Sequence, residues 1–199
     1  MDDGQGHINL VIDSSTASST NAYLTSLALS PAATLAPAFA TNVFTYDATI
    51  AYTNNLVTVT ATSADPNATL QLNLNGGVFN LLTSGAASAP QTLKLVPPTN
   101  TLTVWVTAPD GATSNLYTVN VMLQPSLAAF QMTNKVTTGQ NLTLSWPSDH
   151  TGWRLQVQTN NLTTGLGSNW FIIFGSTSTN QVVQPISPNN GSVFYRLAY

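Results

Sequence analysis

Residues Val57-Thr58-Val59-Thr60-Ala61-Thr62 alternate apolar and hydroxyl side chains with a period of two. The same alternation returns in Leu70-Gln71-Leu72-Asn73-Leu74-Asn75, in Leu102-Thr103-Val104-Trp105-Val106-Thr107 and in Tyr117-Thr118-Val119-Asn120-Val121. Successive side chains point to opposite faces in an extended strand, so each run presents one face to a core and the other to solvent. Turn formers separate the runs: Asp65-Pro66, Asn75-Gly76-Gly77, Pro97-Pro98 and Asp110-Gly111. Each supplies a fixed φ or tolerates a positive one. Thr and Asn compete with helical hydrogen bonding, and β-branching costs rotamer freedom in a helix. Short strands with regular turns lead to an all-β sandwich or barrel. Parity predicts a core of Leu27, Leu29, Phe39, Tyr46, Val57, Val59, Val104, Val106, Val119 and Val121.

A second set of strands follows residues 124–129, which read as a linker. Its members are Leu142–Trp146, Trp153–Gln158, Trp170–Phe174, Gln181–Ile186 and Val193–Tyr199. Here parity assigns Trp146, Trp153, Leu155, Val157, Tyr195 and Leu197 to the core. Upstream, Ile8-Asn9-Leu10-Val11-Ile12 is a short β-type run that reads equally as the tail of a preceding domain or an arm, and as a strand folded onto the next domain's edge; a Ser/Thr-rich tract to Asn21 has the composition of a flexible linker. The expected organisation is therefore a strand or arm with its linker over 1–21, one sandwich over 22–123, the linker at 124–129 and a second sandwich over 130–199.

The segments Tyr23–Ser30, Leu35–Phe39, Phe44-Thr45-Tyr46, Val57–Thr62, Val106–Gly111 and Tyr117–Val121, in that order, resemble the bacterial cadherin-like β-sandwich domain. The resemblance covers residues 23–123. It implies an immunoglobulin-like sandwich, repeated in large secreted or surface proteins, with no catalysis. The second half resembles fibronectin-type-III-like modules that close large secreted proteins of the Verrucomicrobia and Planctomycetes. The motifs are Leu144-Ser145-Trp146-Pro147, Leu155–Asn160, Gly175-Ser176 and Phe194-Tyr195-Arg196-Leu197. It departs from a full module in having no clear seventh strand. Together these imply an all-β chain of two tandem immunoglobulin-like antiparallel β-sandwiches with a short N-terminal strand.

Composition narrows the function classes. The 199 residues include only four Lys+Arg, seven acidic residues that are all Asp, two His and no Cys. Nucleic-acid binding needs a basic patch to displace counterions, and Lys94, Lys135, Arg154 and Arg196 are too dispersed to form one. No run of about 18 apolar residues exists to cross a membrane as a helix. Met1-Asp2-Asp3-Gly4-Gln5 is not the start of a signal peptide, so an export signal is expected upstream of this stretch. Solubility carried by hydroxyls and amides, with 6% charged residues, favours an extracellular or cell-surface location. Cofactors are not expected.

Candidate chemistry is thin. Ser148-Asp149-His150 holds the residue types of a hydrolase triad, but neighbours on one loop cannot converge as triads do, so a turn with a satisfied His is expected. His7 has no partner pattern. Calcium takes six to eight oxygens, several of them from clustered carboxylates, and Asp47, Asp65 and Asp110 are isolated, so turn roles are expected and no metal site. Four Asn sequons, at Asn67, Asn141, Asn161 and Asn190, are expected by chance in so Asn-rich a chain. Trp105 falls on the polar side of its strand with Thr103 and Thr107, free to stack on a glycan, pack on another domain or sit under a loop. Parity does not place Trp170, since every residue from Trp170 to Phe174 is apolar. Arg154 and Arg196 fall opposite the core residues of neighbouring strands, with Gln156 and Gln158 beside them. They form a solvated face or a docking surface for an acidic glycan or partner domain.

Three readings compete. The first is a non-catalytic spacer, display or adhesion module at the C-terminal end of a larger secreted or surface protein, with neighbouring domains of the same polypeptide as partners. A second is a polysaccharide-binding module anchored by Trp105. The third is a filament or surface-layer subunit that donates Ile8–Ile12 to a neighbour. A hydrolase lacks the carboxylate pair or spread Ser/His/Asp set it needs.

Overall fold

A computed structural model of the chain describes residues 17–52, 55–96, 98–137, 140–161 and 163–199. The Ile8–Ile12 run and His7 lie outside the described residues. The alternating segments are strands as expected, and they fold into two tandem β-sandwiches with no α-helix among the described residues.

In the first sandwich, one sheet has the order β1 (Leu24–Ser30), β3 (Leu56–Ser63), β6 (Gln91–Thr92). The facing sheet has the order β2 (Thr45–Ala51), β8 (Ser114–Gln124), β7 (Thr99–Thr107), β4 (Thr69–Leu74), β5 (Asn80–Leu82). One pair departs from the antiparallel expectation. β2 runs parallel to β8, with Tyr46 opposite Val119 and Ile50 opposite Leu123. The loop from β1 lets the chain change sheets, which places β2 on the outer edge of β8.

The core parity holds in this sandwich. Val57, Val59, Val104, Val106, Val119 and Val121 are each at most 1% exposed. Phe39 is only half-buried and stacks on Tyr46, with ring centroids 6.0 Å apart. Two fully buried phenols close the N-terminal loops over the core. The Tyr117 hydroxyl donates to Thr41 O (2.6 Å) and accepts from Leu24 N (3.1 Å), and Tyr46 Oη donates to Val43 O (2.7 Å). Buried Asn100 accepts from Lys94 N (2.7 Å) and donates to Lys94 O (2.8 Å), fixing the approach to β7.

The second sandwich has two three-stranded sheets. One has the order β13 (Gln181–Pro185), β10 (Asn141–Ser145), β9 (Thr133–Thr137). The other has the order β12 (Phe171–Ile172), β11 (Arg154–Asn160), β14 (Ser192–Ala198). The expected strand from Trp170 to Phe174 shrinks to the two residues of β12. After it Gly175 takes a positive φ of 78° and starts a 3-10 turn at Ser176–Ser178.

Strand by strand, the second sandwich repeats the first with a deficit. β9, β10 and β13 occupy the places of β1, β3 and β6. β11, β12 and β14 occupy those of β4, β5 and β7. Among the described residues, nothing corresponds to β8 or β2, and β14 ends its sheet. Burial follows. Among the described residues the first core contains 24 buried apolar residues and the second three, Leu144, Trp146 and Leu155. Trp153, Val157, Tyr195 and Leu197, expected in the core, are half-buried. Tyr195 and Leu197 pack against the core as parity requires, but among the described residues no strand pairs with the outer edge of β14. Trp153 packs instead beside Phe130, His150 and Tyr199.

Residues 125–132 join the two units without a strand. Ser126 N donates to Asp149 O (2.8 Å), and Trp153 Nε1 donates to Ser126 O (3.1 Å). Gly152 takes a φ of +103° against Pro125, where an added Cβ would lie 3.2 Å from Pro125 Cγ. A side chain there would strain the backbone and crowd Pro125.

Candidate functional site

Residues with chemical potential are taken up by the fold. Ser148–His150 is a single 3-10 turn. His150 is 2% exposed, with Nδ1 2.7 Å from Asp149 Oδ1 and Nε2 2.9 Å from Ala128 O. Both ring nitrogens are thus engaged, and Phe130 packs 4.1 Å from the imidazole. Asp110 caps its own turn: Oδ1 accepts from Thr113 N and Ala112 N, and Oδ2 accepts from Thr113 Oγ1 (2.6 Å). Those bonds, the Thr113 hydroxyl first, hold its carboxyl below the ordinary value. Asp65 is held low by the Ser19 hydroxyl and by Asn67 N. Asp47 accepts from Asn120 Nδ2 (3.1 Å).

Two exposed sheet faces carry the candidate contact residues. The first lies on the five-stranded sheet. Trp105 points outward, 37% exposed, as its parity requires. Register places it between Gln71 of β4 and Leu116 of β8, while Gln71 also faces Leu81 of β5. Leu81, Gln71, Trp105 and Leu116 therefore form one row across four strands. Leu81 is 79% and Leu116 51% exposed. The Phe79 ring stands edge-on to the indole at 5.3 Å and braces it. Leu81, Gln71, Leu116 and Phe79 were not singled out from sequence, because each is an isolated outward residue until register aligns them.

The second face lies on the sheet of β11, β12 and β14. Arg196 sits opposite Gln156, and Arg154 opposite Ala198, so both arginines share the outer face two residues apart along the ladder. Arg196 Nε donates to Gln156 Oε1 (2.7 Å), and its guanidinium carbon lies 4.2 Å from the centroid of the Trp170 ring. That resolves the place of Trp170: it is half-buried beneath Arg196. Arg154 is exposed, and among the described residues its guanidinium has no hydrogen-bond partner.

Gln158 corrects the expected patch. It is wholly buried, not solvated. Its Oε1 accepts from Gly167 N (2.8 Å) and its Nε2 donates to Asn169 Oδ1. The loop between β11 and β12 folds over the sheet, and the amide of Gln158 satisfies that loop's polar groups. The patch thus reduces to Arg154, Arg196 and Gln156, with Arg196 already engaged within the chain.

The sheet orders, with β2 beside β8 and two facing sheets, give the first half its architecture. Its sequence matches the family model for a cadherin-like beta sandwich domain over residues 24–124. The chain belongs to this family. The cadherin-like match spans β1 to β8 entire and stops where β8 ends at Gln124. A search of characterised proteins finds no match. Cadherin-like domains of this family are generally non-enzymatic and typically extracellular. No helix among the described residues is long and apolar enough to cross a membrane.

Proposed function

We propose that this chain is a non-catalytic extracellular module that spaces, displays or adheres, as part of a larger secreted or surface protein. The observation that carries this reading is the fate of its ionisable groups. All four aspartates among the described residues and His150 are spent on turns and local bonds. A cadherin-like sandwich with its polar groups so employed supplies rigid length rather than chemistry. On this reading the second sandwich is a fibronectin-type-III-like module. The test is antibody labelling of intact cells of the source organism. Surface labelling without permeabilisation is expected, and labelling only after lysis would overturn the location.

The row Leu81–Gln71–Trp105–Leu116 favours a second reading, binding of a polysaccharide along the first sandwich. A flat indole flanked by an amide offers a stacking face and a hydrogen-bonding group to a sugar chain. Pull-down on insoluble polysaccharides distinguishes the faces. Loss of binding with Trp105→Ala alone places the ligand on the first sandwich, and loss with Arg154→Ala/Arg196→Ala alone places it on the second. No binding by the parent chain eliminates this second reading.

A further inference from the structure

The free edges of this protein are treated unequally. Sheet edges are templates for pairing, and proteins blunt them with short strands, Lys, Pro, bulges or covering segments. β5, β6 and β12 are three, two and two residues long. β1 has a register break between Leu24 and Ser26. β2 is covered by Ala36, which exchanges two hydrogen bonds with Asp47. β9 carries Lys135, and β13 ends in Pro185. β14 has the weakest of these defences: its one charged side chain, Arg196, is drawn toward β11 by Gln156 and lies over Trp170. The strand is seven residues long, without Pro or Lys, and among the described residues it pairs, in unbroken register, with β11 on one side only.

Beneath that edge the core is unfinished. The inward side chains Val193, Tyr195 and Leu197 are half-buried. Val193 and Tyr195 form one wall of a cleft of about 280 Å³ whose opposite wall includes Leu142 and Ile186. In the first sandwich the equivalent place is filled by β8, whose Tyr117, Val119, Val121 and Leu123 are at most 1% exposed.

We infer that residues 8–12 of a second copy of this chain fill the place beside β14. Ile8-Asn9-Leu10-Val11-Ile12, outside the described residues, has Ile8, Leu10 and Ile12 at alternate positions. An added strand gains main-chain bonds along the edge and seats alternate side chains in the core. Its three apolar residues match the three inward residues of β14.

The geometry makes the donor another copy. Ser19 is held at the turn before β8, where its carbonyl accepts from Asp110 N (3.1 Å). The second sandwich is joined at the opposite end of β8. The 11 residues of that strand span about 34 Å. From Ser19 back to Ile12 the chain reaches at most about 25 Å. A copy therefore cannot reach its own β14. Donor and acceptor lie at opposite ends of the molecule, so the contact is head-to-tail and propagates into a filament. This goes beyond the spacer reading by stating how copies join.

Sedimentation of the full chain over a range of concentrations tests it. The mass is expected to grow with concentration. Leu10→Asp/Ile12→Asp should weaken association about 100-fold while leaving the circular dichroism spectrum unchanged. A peptide of residues 5–15 should shorten the assemblies. A full chain with residues 6–13 appended after Tyr199 should be monomeric, with a raised melting temperature for the second sandwich. A parent that stays monomeric, assemblies indifferent to the substitutions, or an appended strand that leaves the melting unchanged would each overturn the inference. Slow exchange of the β14 amides in a monomer would show that another segment covers the edge, and would overturn it equally.

Discussion

Trp146→Ala is expected to unfold the second sandwich and spare the first. Trp146 is 3% exposed and is one of the three fully buried apolar residues of its core, packed against residues such as Phe130, Met132 and Tyr195. Truncating a buried Trp costs about 3–5 kcal/mol through lost transfer energy and the cavity left behind. A unit of this size has a total stability of about 4–10 kcal/mol. An unfinished core puts the second sandwich at the lower end, so the substitution removes most of what holds it. Trp146→Phe is the control. The Trp146 Nε1 is buried without a hydrogen-bond partner among the described residues, so Phe discards an unsatisfied donor while keeping most of the ring. Its cost should stay below about 1.5 kcal/mol. Differential scanning calorimetry reads both. The parent should show two transitions, and Trp146→Ala should lose the lower one with the upper unmoved. A single transition that shifts as a whole would refute the two-core account. Trp146→Ala melting as the parent would refute the assignment of Trp146 to the core.

Tyr117→Phe leaves the buried Leu24 N–H without its acceptor, and should lower the first sandwich by about 1–3 kcal/mol in chemical denaturation without moving the second. Asp65 and Asp110 are held below their ordinary value of 3.8, so the stability they lend is complete above that pH and is lost as pH falls through their lowered folded values. The melting temperature of the first sandwich should therefore be level above about pH 5 and fall below 3.8, and Asp110→Asn should flatten that fall. Gly191→Ala should destabilise the second sandwich, because the new Cβ would sit 2.8 Å from Asn160 O at the start of β14; an unchanged melting temperature would contradict that close approach.

What could be read from the sequence was local. Alternation within a strand assigns each side chain to a face, so Val57, Val104 and Val119 on one side and Trp105 and Arg154 on the other were legible. Pairing between strands was not. Nothing in Phe44-Thr45-Tyr46 signals that β2 joins β8 in parallel, because that choice is made by the loop before it. The row through Gln71 and Trp105 likewise exists only once four strands are in register. Gln158 was misplaced for a related reason. Its parity is correct, but the loop carrying Gly167 and Asn169 folds over that face, and a buried amide is stable where it satisfies such a loop. The half-burial of Tyr195 and Leu197 reflects a missing neighbour, which side-chain pattern within β14 cannot report.

The central claim is that, among the described residues, the second sandwich lacks the strand that closes the first. Hydrogen exchange of the backbone amides, measured on dilute chain with Leu10→Asp/Ile12→Asp, tests this most directly. Strand β8 is flanked on both sides, so the amides of Ser114–Gln124 should exchange only by cooperative unfolding. Ser192–Ala198 should contain an alternating set of fast amides facing away from β11, and a slow set facing it. Uniform slow exchange across β14, equal to that of β8, would contradict the account.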